Sequence, residues 1–182
     1  MLAVAIVIVS AAYLALGLAV LARRKPRYSH VRHTISEIGE TGARDRHVAA
    51  FALFLPIGLA LAAAAWVLHF HSSAAAALAL AIAIGYLGAA AFPCDPGSPL
   101  RGSARQWLHN LAGGIEYVGG GLALMTLARG FGRPLEAAGF VVFGAAFALS
   151  ALPSASFRGL VQRIAEACLF AGLAWSAWRL AS

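Results

Sequence analysis

A glutamate, Glu116, lies in the apolar and glycine-rich stretch 112–127, which has the composition of a membrane-spanning segment. A carboxylate inside hydrocarbon is costly, and residues of this kind usually mark a functional site. His109 precedes Glu116 by seven residues, which is almost two helical turns. The two side chains therefore project from the same helix face, with Gly113 between them. We expect this face to bind a ligand.

Histidine and acidic residues are also concentrated in the loop that follows the first apolar segment. If Ser29 caps a short helix at the membrane interface, then His30, His33 and Glu37 fall on one face at spacings of three and four residues. Imidazole and carboxylate groups in this arrangement can bind zinc or another divalent metal. The same side chains could equally be solvated beside lipid headgroups, so both interpretations stay open.

Asp95 stands between Pro93 and Pro96 in the loop after the third apolar segment. The two prolines restrict the backbone, so we expect the Asp95 carboxylate to be held in a defined position. A simple turn with no further function is equally consistent with this pattern.

Arg163 and Glu166 are three residues apart in the last apolar segment, so they can form an ion pair within one helix. Their depth resembles that of His109 and Glu116, so Arg163 could instead neutralise Glu116. We expect Arg163 to pair with one of these two carboxylates, because an unpaired guanidinium at that depth is expensive.

Together these residues define a predicted polar site. Its candidate catalytic residues, which are also the candidate ligands of a divalent metal such as zinc, are His33, Glu37, Asp95 and His109. Its candidate ligand-binding residues are Ser36, Glu116, Arg163 and Glu166. We expect these residues to come together at one end of the bundle, because the longer loops all open on that side and the opposite connections are short.

The composition predicts an integral membrane protein that positions these residues on helices. Of the 182 residues, 61% are hydrophobic and 12% are charged, which is outside the range of a soluble core. Six segments are long enough to cross the hydrocarbon layer: residues 2–22, 48–70, 74–92, 107–127, 134–152 and 160–180. The predicted fold is all-α, a single polytopic six-helix transmembrane bundle. The first segment is expected to stay as a helix, since no basic residue precedes it as in a signal peptide.

The net charge of +7 predicts membrane orientation and gives no reason to expect a nucleic-acid partner. The loop after the first segment holds seven basic residues, between positions 23 and 46, and the opposite side has few. By the positive-inside rule this loop is cytoplasmic and both termini lie outside, in the plasma (inner) membrane. Three consecutive glycines, 119–121, directly follow Glu116 and predict a local kink or a close ligand.

An ordered set of motifs resembles one membrane protein family. The set is His33-Thr-Ile-Ser-Glu37, Phe92-Pro93-x-Asp95-Pro96-Gly97, His109, and Gly159-Leu160-x-Gln162-Arg163. It spans nearly the whole chain and resembles the prokaryotic membrane family catalogued as domain of unknown function 998. The resemblance implies a six-helix bundle and no assigned reaction. The chain is more distantly similar to the eukaryotic group of damage-regulated autophagy modulators and GPI-anchor remodelling proteins, which implies work on lipids.

Three functions compete at this level. The leading one is lipid handling, in which the interfacial site binds a lipid headgroup. As an enzyme, the protein would be a membrane-embedded hydrolase or transferase that hydrolyses or modifies a lipid with metal-activated water. The second is a small proton-coupled transporter that uses His109 and Glu116. The third is a non-catalytic accessory subunit of a membrane complex. The expected partners are membrane lipids, and a homo-oligomer or a larger complex is also compatible with the sequence.

Overall fold

The computed structural model describes residues 1–152 and 155–182, and within them it contains six long helices and no strand. The helices are α1 (Leu2–Arg24), α2 (Val48–His69), α3 (Ser73–Ala91), α4 (Ala104–Phe131), α5 (Arg133–Ala151) and α6 (Arg158–Ala181). Helices α1 to α5 are long and apolar enough to cross a membrane. Helix α6 has 24 residues but carries more charge. The prediction of an all-α six-helix membrane bundle is confirmed.

Helix α3 is central to the bundle, because it packs against α2, α4 and α6. Its small residues let these neighbours approach closely, and its Leu78 and Ile82 are fully buried. Large apolar side chains, including Phe51, Trp66 and Phe147, are exposed on the outer surface. Such a surface would be unfavourable in water and is expected of helices that face lipid.

Helix α4 begins three residues earlier than the predicted boundary at position 107, because Ser103 caps it. The Ser103 hydroxyl accepts a hydrogen bond from the backbone N–H of Gln106 at 3.2 Å. Farther along the same helix, residues Ile115–Gly119 form one π-helical turn. Turns of this kind inside α-helices are frequent at functional sites. Glu116 therefore lies where α4 departs from regular geometry.

The glycine run of α4 admits side chains from two neighbouring helices. A Cβ atom on Gly120 would lie 2.5 Å from Leu169 of α6, and one on Gly121 would lie 2.7 Å from the Phe143 ring of α5. The π-helical turn takes the place of the predicted kink, and these two glycines serve helix packing.

The first loop differs from the predicted short helix. Residues 28–33 form a turn, and Ser36–Gly39 form a single 3-10 turn. A helix beginning at Ser29 would need the carbonyls of His30 and His33 to accept bonds from N–H groups four residues later. Both carbonyls instead accept hydrogen bonds from Arg163 of α6, at 2.7 and 3.0 Å. The loop is therefore held against α6 by side-chain contacts.

Candidate functional site: a polar cavity at the loop end of the bundle

A cavity of about 200 Å³ lies at the end of the bundle where the long loops meet. Its walls come from the first and third loops and from α2, α3, α4, α5 and α6. Its polar wall residues with longer side chains are Tyr86, His109, Asn110, Glu116, Tyr117, Arg158, Gln162 and Glu166. Such a concentration of polar groups within a membrane bundle is what a ligand site requires.

Glu166 forms the deep side of this cavity and is held by two tyrosines. The Tyr86 hydroxyl of α3 donates to one carboxylate oxygen of Glu166, and the Tyr117 hydroxyl of α4 donates to the other, each at 2.9 Å. Glu166 itself is buried. Hydrogen bonds to both oxygens stabilise the carboxylate form of Glu166 in this interior position.

Glu116 lies on the same cavity wall as Glu166, and both carboxyl groups are buried. Two ionised carboxylates in one buried site would repel each other, which favours a proton on one of them. Since the tyrosines stabilise Glu166 as the carboxylate, we place this proton on Glu116. Glu116 Oε1 is buried and has no hydrogen-bond donor among the described residues.

Gly85 of α3 provides the space that Glu116 occupies. A Cβ atom at position 85 would lie 2.0 Å from Glu116 Oε2 and 2.3 Å from its carboxyl carbon. Any side chain at position 85 would require the Glu116 carboxyl group to move. One turn along, Gly88 accommodates Ala112 of α4 in the same way, with its Cβ position 2.2 Å from the alanine Cβ.

His109 lies on the cavity wall, and one of its ring nitrogens has no hydrogen-bond partner among the described residues. Its Nδ1 is 2.9 Å from the backbone carbonyl of Phe92. A carbonyl can only accept, so in the neutral ring the proton is on Nδ1 and Nε2 is left with a free lone pair. His109 can therefore accept a hydrogen bond or a proton from a molecule in the cavity.

Arg158 and Gln162 connect the loops to the α6 wall. Arg158 donates to the carbonyls of Gly97 and Ser98, at 3.0 and 2.9 Å. Its Nε is buried and has no acceptor among the described residues. Gln162 Oε1 accepts the N–H of Ile35 at 2.6 Å.

The structure brings four of the predicted site residues to the cavity wall, namely Ser36, His109, Glu116 and Glu166. The predicted set missed Arg158, Gln162, Tyr86 and Tyr117. A signal for two of them was present, because Arg158, Gln162 and Glu166 follow one another at intervals of four residues on one face of α6. The tyrosines stand in otherwise apolar segments, and nothing in their spacing identifies them.

His33 and Glu37 are engaged within the first loop. His33 Nδ1 accepts the N–H of Ser29 at 2.9 Å, and its ring stacks on Tyr28. Glu37 Oε1 accepts both the N–H and the hydroxyl of Thr34, at 2.8 and 3.1 Å. Neither residue is on the cavity wall.

Asp95 anchors the third loop to the start of α4. It accepts the N–H and the hydroxyl of Ser103, at 2.7 and 2.9 Å, and pairs with Arg105 at 3.4 Å. The Ser103 hydrogen bonds, with a smaller effect of Arg105, lower the pKa of this carboxyl below its ordinary value. Next to it, burial raises the pKa of the Cys94 thiol to about 12.

The expected ion pair of Arg163 is absent from the described residues, and this prediction is wrong. Arg163 donates to three backbone carbonyls, those of His30, His33 and Gly159, and to the Tyr28 hydroxyl at 2.7 Å. Carbonyl dipoles solvate the guanidinium in place of a carboxylate. Burial, opposed by the nearby Arg163 charge, raises the pKa of Tyr28.

The predicted metal ligands do not form a cluster. Across residues 1–152 and 155–182, no group of three or more His, Cys, Asp or Glu side chains is arranged to hold a metal ion. Of the four predicted ligands, His109 alone is on the wall of the cavity, and the other three make the loop contacts described above. A divalent metal such as zinc stays an untested expectation from the sequence.

The family model described as "Protein of unknown function (DUF998)" matches residues 4–179, which is nearly the whole chain. Neither a curated protein nor a solved structure matches.

Proposed function

We propose that this chain, which belongs to the family described as "Protein of unknown function (DUF998)", binds the polar headgroup of a membrane lipid in the cavity at its loop end. The observation that carries the proposal is a pair of buried polar atoms with no protein partner among the described residues, Glu116 Oε1 and Arg158 Nε. One is an acceptor and the other a donor. Buried polar groups are normally satisfied, so a ligand that supplies both partners fits this site.

The position of the cavity favours a lipid as the source of that ligand. Part of its wall lies between α4 and α5, where Val118 is 48% exposed on the outer surface and Gly114 is also exposed. A Cβ atom at Gly113 or Gly114 would have no atom of a neighbouring element within 4 Å. A lipid beside the bundle can therefore place its headgroup in the cavity while its acyl chains stay on the α4 and α5 surface.

The chemistry of the opposing wall suits the phosphate of such a headgroup. Arg158 supplies a guanidinium whose position is fixed by two loop carbonyls. Arginine binds phosphate oxygens through several donors at once. Ser36 on the loop side can add a hydroxyl group. His109 Nε2 accepts a donor from the ligand.

The proposal is tested with purified protein in detergent and with dihexanoyl phospholipids that carry ethanolamine, choline or glycerol headgroups. Heat of binding is measured for the wild type, Gly113→Leu and Gly144→Leu. A leucine at either position meets no protein atom at its Cβ, but Gly113 is on the cavity wall and Gly144 is not. We expect wild type and Gly144→Leu to bind, and Gly113→Leu to lose at least about tenfold in affinity.

Two results would overturn the proposal. The first is that none of the three phospholipids binds to the wild type. The second is that Gly113→Leu and Gly144→Leu bind with the same affinity, which would place the lipid outside this cavity. Thermal unfolding of both variants shows that each is folded.

A further inference from the structure

The carboxyl pair in the cavity has an uncompensated charge. With one proton between them, Glu116 and Glu166 carry a single negative charge. The salt bridges of the described residues join Arg24 to Asp45, Lys25 to Glu40 and Arg105 to Asp95, so none of them reaches this pair. A buried charge is expensive unless a counter-ion accompanies it.

The groups that face the pair do not supply that counter-ion. From α3 and α4 they are the hydroxyls of Tyr86 and Tyr117, and both donate to Glu166. Beyond Glu166, a groove between α1 and α6 is lined by His30 and Arg163. The Arg163 guanidinium is occupied by three carbonyls and the Tyr28 hydroxyl.

The other cationic and polar side chains named on the cavity wall already have hydrogen-bond partners elsewhere. Arg158 is tied to the third loop by two carbonyls. Gln162 is tied to the first loop through Ile35, and His109 to the carbonyl of Phe92. The α5 wall contributes only the Ser150 hydroxyl as a polar side chain among the cavity residues.

We infer that the cavity selects a lipid headgroup that carries a primary ammonium group, which binds Glu116 and supplies the positive charge that the Glu116 and Glu166 pair lacks. This rests on the proposed function and specifies its ligand class. Glu116 Oε1 has no donor among the described residues, so this carboxyl oxygen can accept an ammonium N–H. One proton and one ammonium leave the buried pair neutral. A phosphate in the same headgroup would meet Arg158.

The selectivity is measured as the ratio of affinities for dihexanoyl-phosphatidylethanolamine and dihexanoyl-phosphatidylglycerol. Both have a phosphate, and the first alone has an ammonium group. For the wild type we expect the ethanolamine lipid to bind at least about tenfold more tightly. Removal of both carboxylates in Glu116→Gln/Glu166→Gln should bring the ratio close to one. Glu136→Gln, at the start of α5 and outside the cavity, should keep the wild-type ratio.

Equal affinity of the wild type for the two lipids would overturn this inference while leaving the proposed headgroup site in place. Failure of both lipids to bind overturns the inference and, if the choline lipid also fails, the proposed function with it. Binding of phosphatidylglycerol by the double variant would show that its cavity is folded. If the double variant does not fold, the wild-type ratio decides the question.

Discussion

At the scale of single residues, Glu116 is accommodated inside the bundle by four residues that surround its carboxyl group or hold its neighbour Glu166. Gly85 leaves the volume that its carboxyl group fills. Glu166 lies on the same cavity wall, and Tyr86 and Tyr117 satisfy both of its oxygens. These contacts reduce the cost of two carboxyl groups in a low-dielectric interior, since each tyrosine hydroxyl replaces a lost water contact.

A methyl group at position 85 should disrupt these contacts. In Gly85→Ala, the new Cβ would lie 2.0 Å from Glu116 Oε2, so the glutamate side chain must move. We expect a loss of about 1–3 kcal/mol in the free energy of unfolding, as for other overpacked cores. Headgroup binding should weaken as well. Thermal and denaturant unfolding in detergent, with lipid titration, measures both effects.

Gly144→Ala is the matched control, because a Cβ there meets no atom within 4 Å. Its stability should equal or slightly exceed that of the wild type, since alanine is the better helix former. Similar stability of the two variants would show that the contact between α3 and Glu116 is not as close as described.

At the scale of elements, the third loop and α4 are built as one unit around Asp95. Its carboxylate receives the N–H and the hydroxyl of Ser103, and Gln106 Oε1 accepts the Asp95 N–H at 2.6 Å. These contacts fix the start of α4, whose next turn carries His109. The π-helical turn that follows then sets the direction of Glu116.

The lowered pKa of Asp95 predicts how its contribution depends on pH. Because the folded state favours the carboxylate, the stabilisation is fully present above the ordinary aspartate pKa. It is lost as the pH falls through the lowered folded value. Asp95→Asn should therefore be less stable than the wild type at pH 7, and the difference should shrink below about pH 4. Unfolding midpoints of the two proteins between pH 7 and pH 3 measure this; a constant difference would contradict it.

At the scale of the whole molecule, the cavity, the basic first loop and the third loop share one end. The first loop is tied down by ion pairs, Arg24 with Asp45 and Lys25 with Glu40, each at 2.8 Å. Its remaining basic side chains can lie near anionic headgroups. The cavity therefore opens at the membrane face that the charge distribution predicts to be cytoplasmic.

Cysteine labelling in intact cells tests this orientation. Arg44→Cys, on the exposed part of the first loop, should resist a membrane-impermeant thiol reagent. His71→Cys, exposed at the opposite end, should react. The native Cys94 should not react with the reagent, because it is fully buried and its pKa is raised to about 12. Labelling of Arg44→Cys from outside, with no labelling of His71→Cys, would reverse the assignment.

The sequence by itself determined the class of protein, the number of helices and the end of the bundle that carries the polar residues. These follow from length, hydropathy and loop length, which are local properties of the chain. The residues with the highest intrinsic cost in a membrane, Glu116 and Glu166, were also recognisable, because burial of a charge is expensive wherever it occurs.

The tertiary structure alone decided which polar groups share a site. Three side chains have the residue types of metal ligands, namely those of His33, Glu37 and Asp95. In the loops, however, each of them accepts hydrogen bonds from nearby hydroxyl or N–H groups. Tyr86 and Tyr117 became site residues only because α3 and α4 pack at glycine contacts that bring both hydroxyls to Glu166. A hydrogen bond depends on the position of both partners, and helix packing sets those positions over separations of 49 and 80 residues.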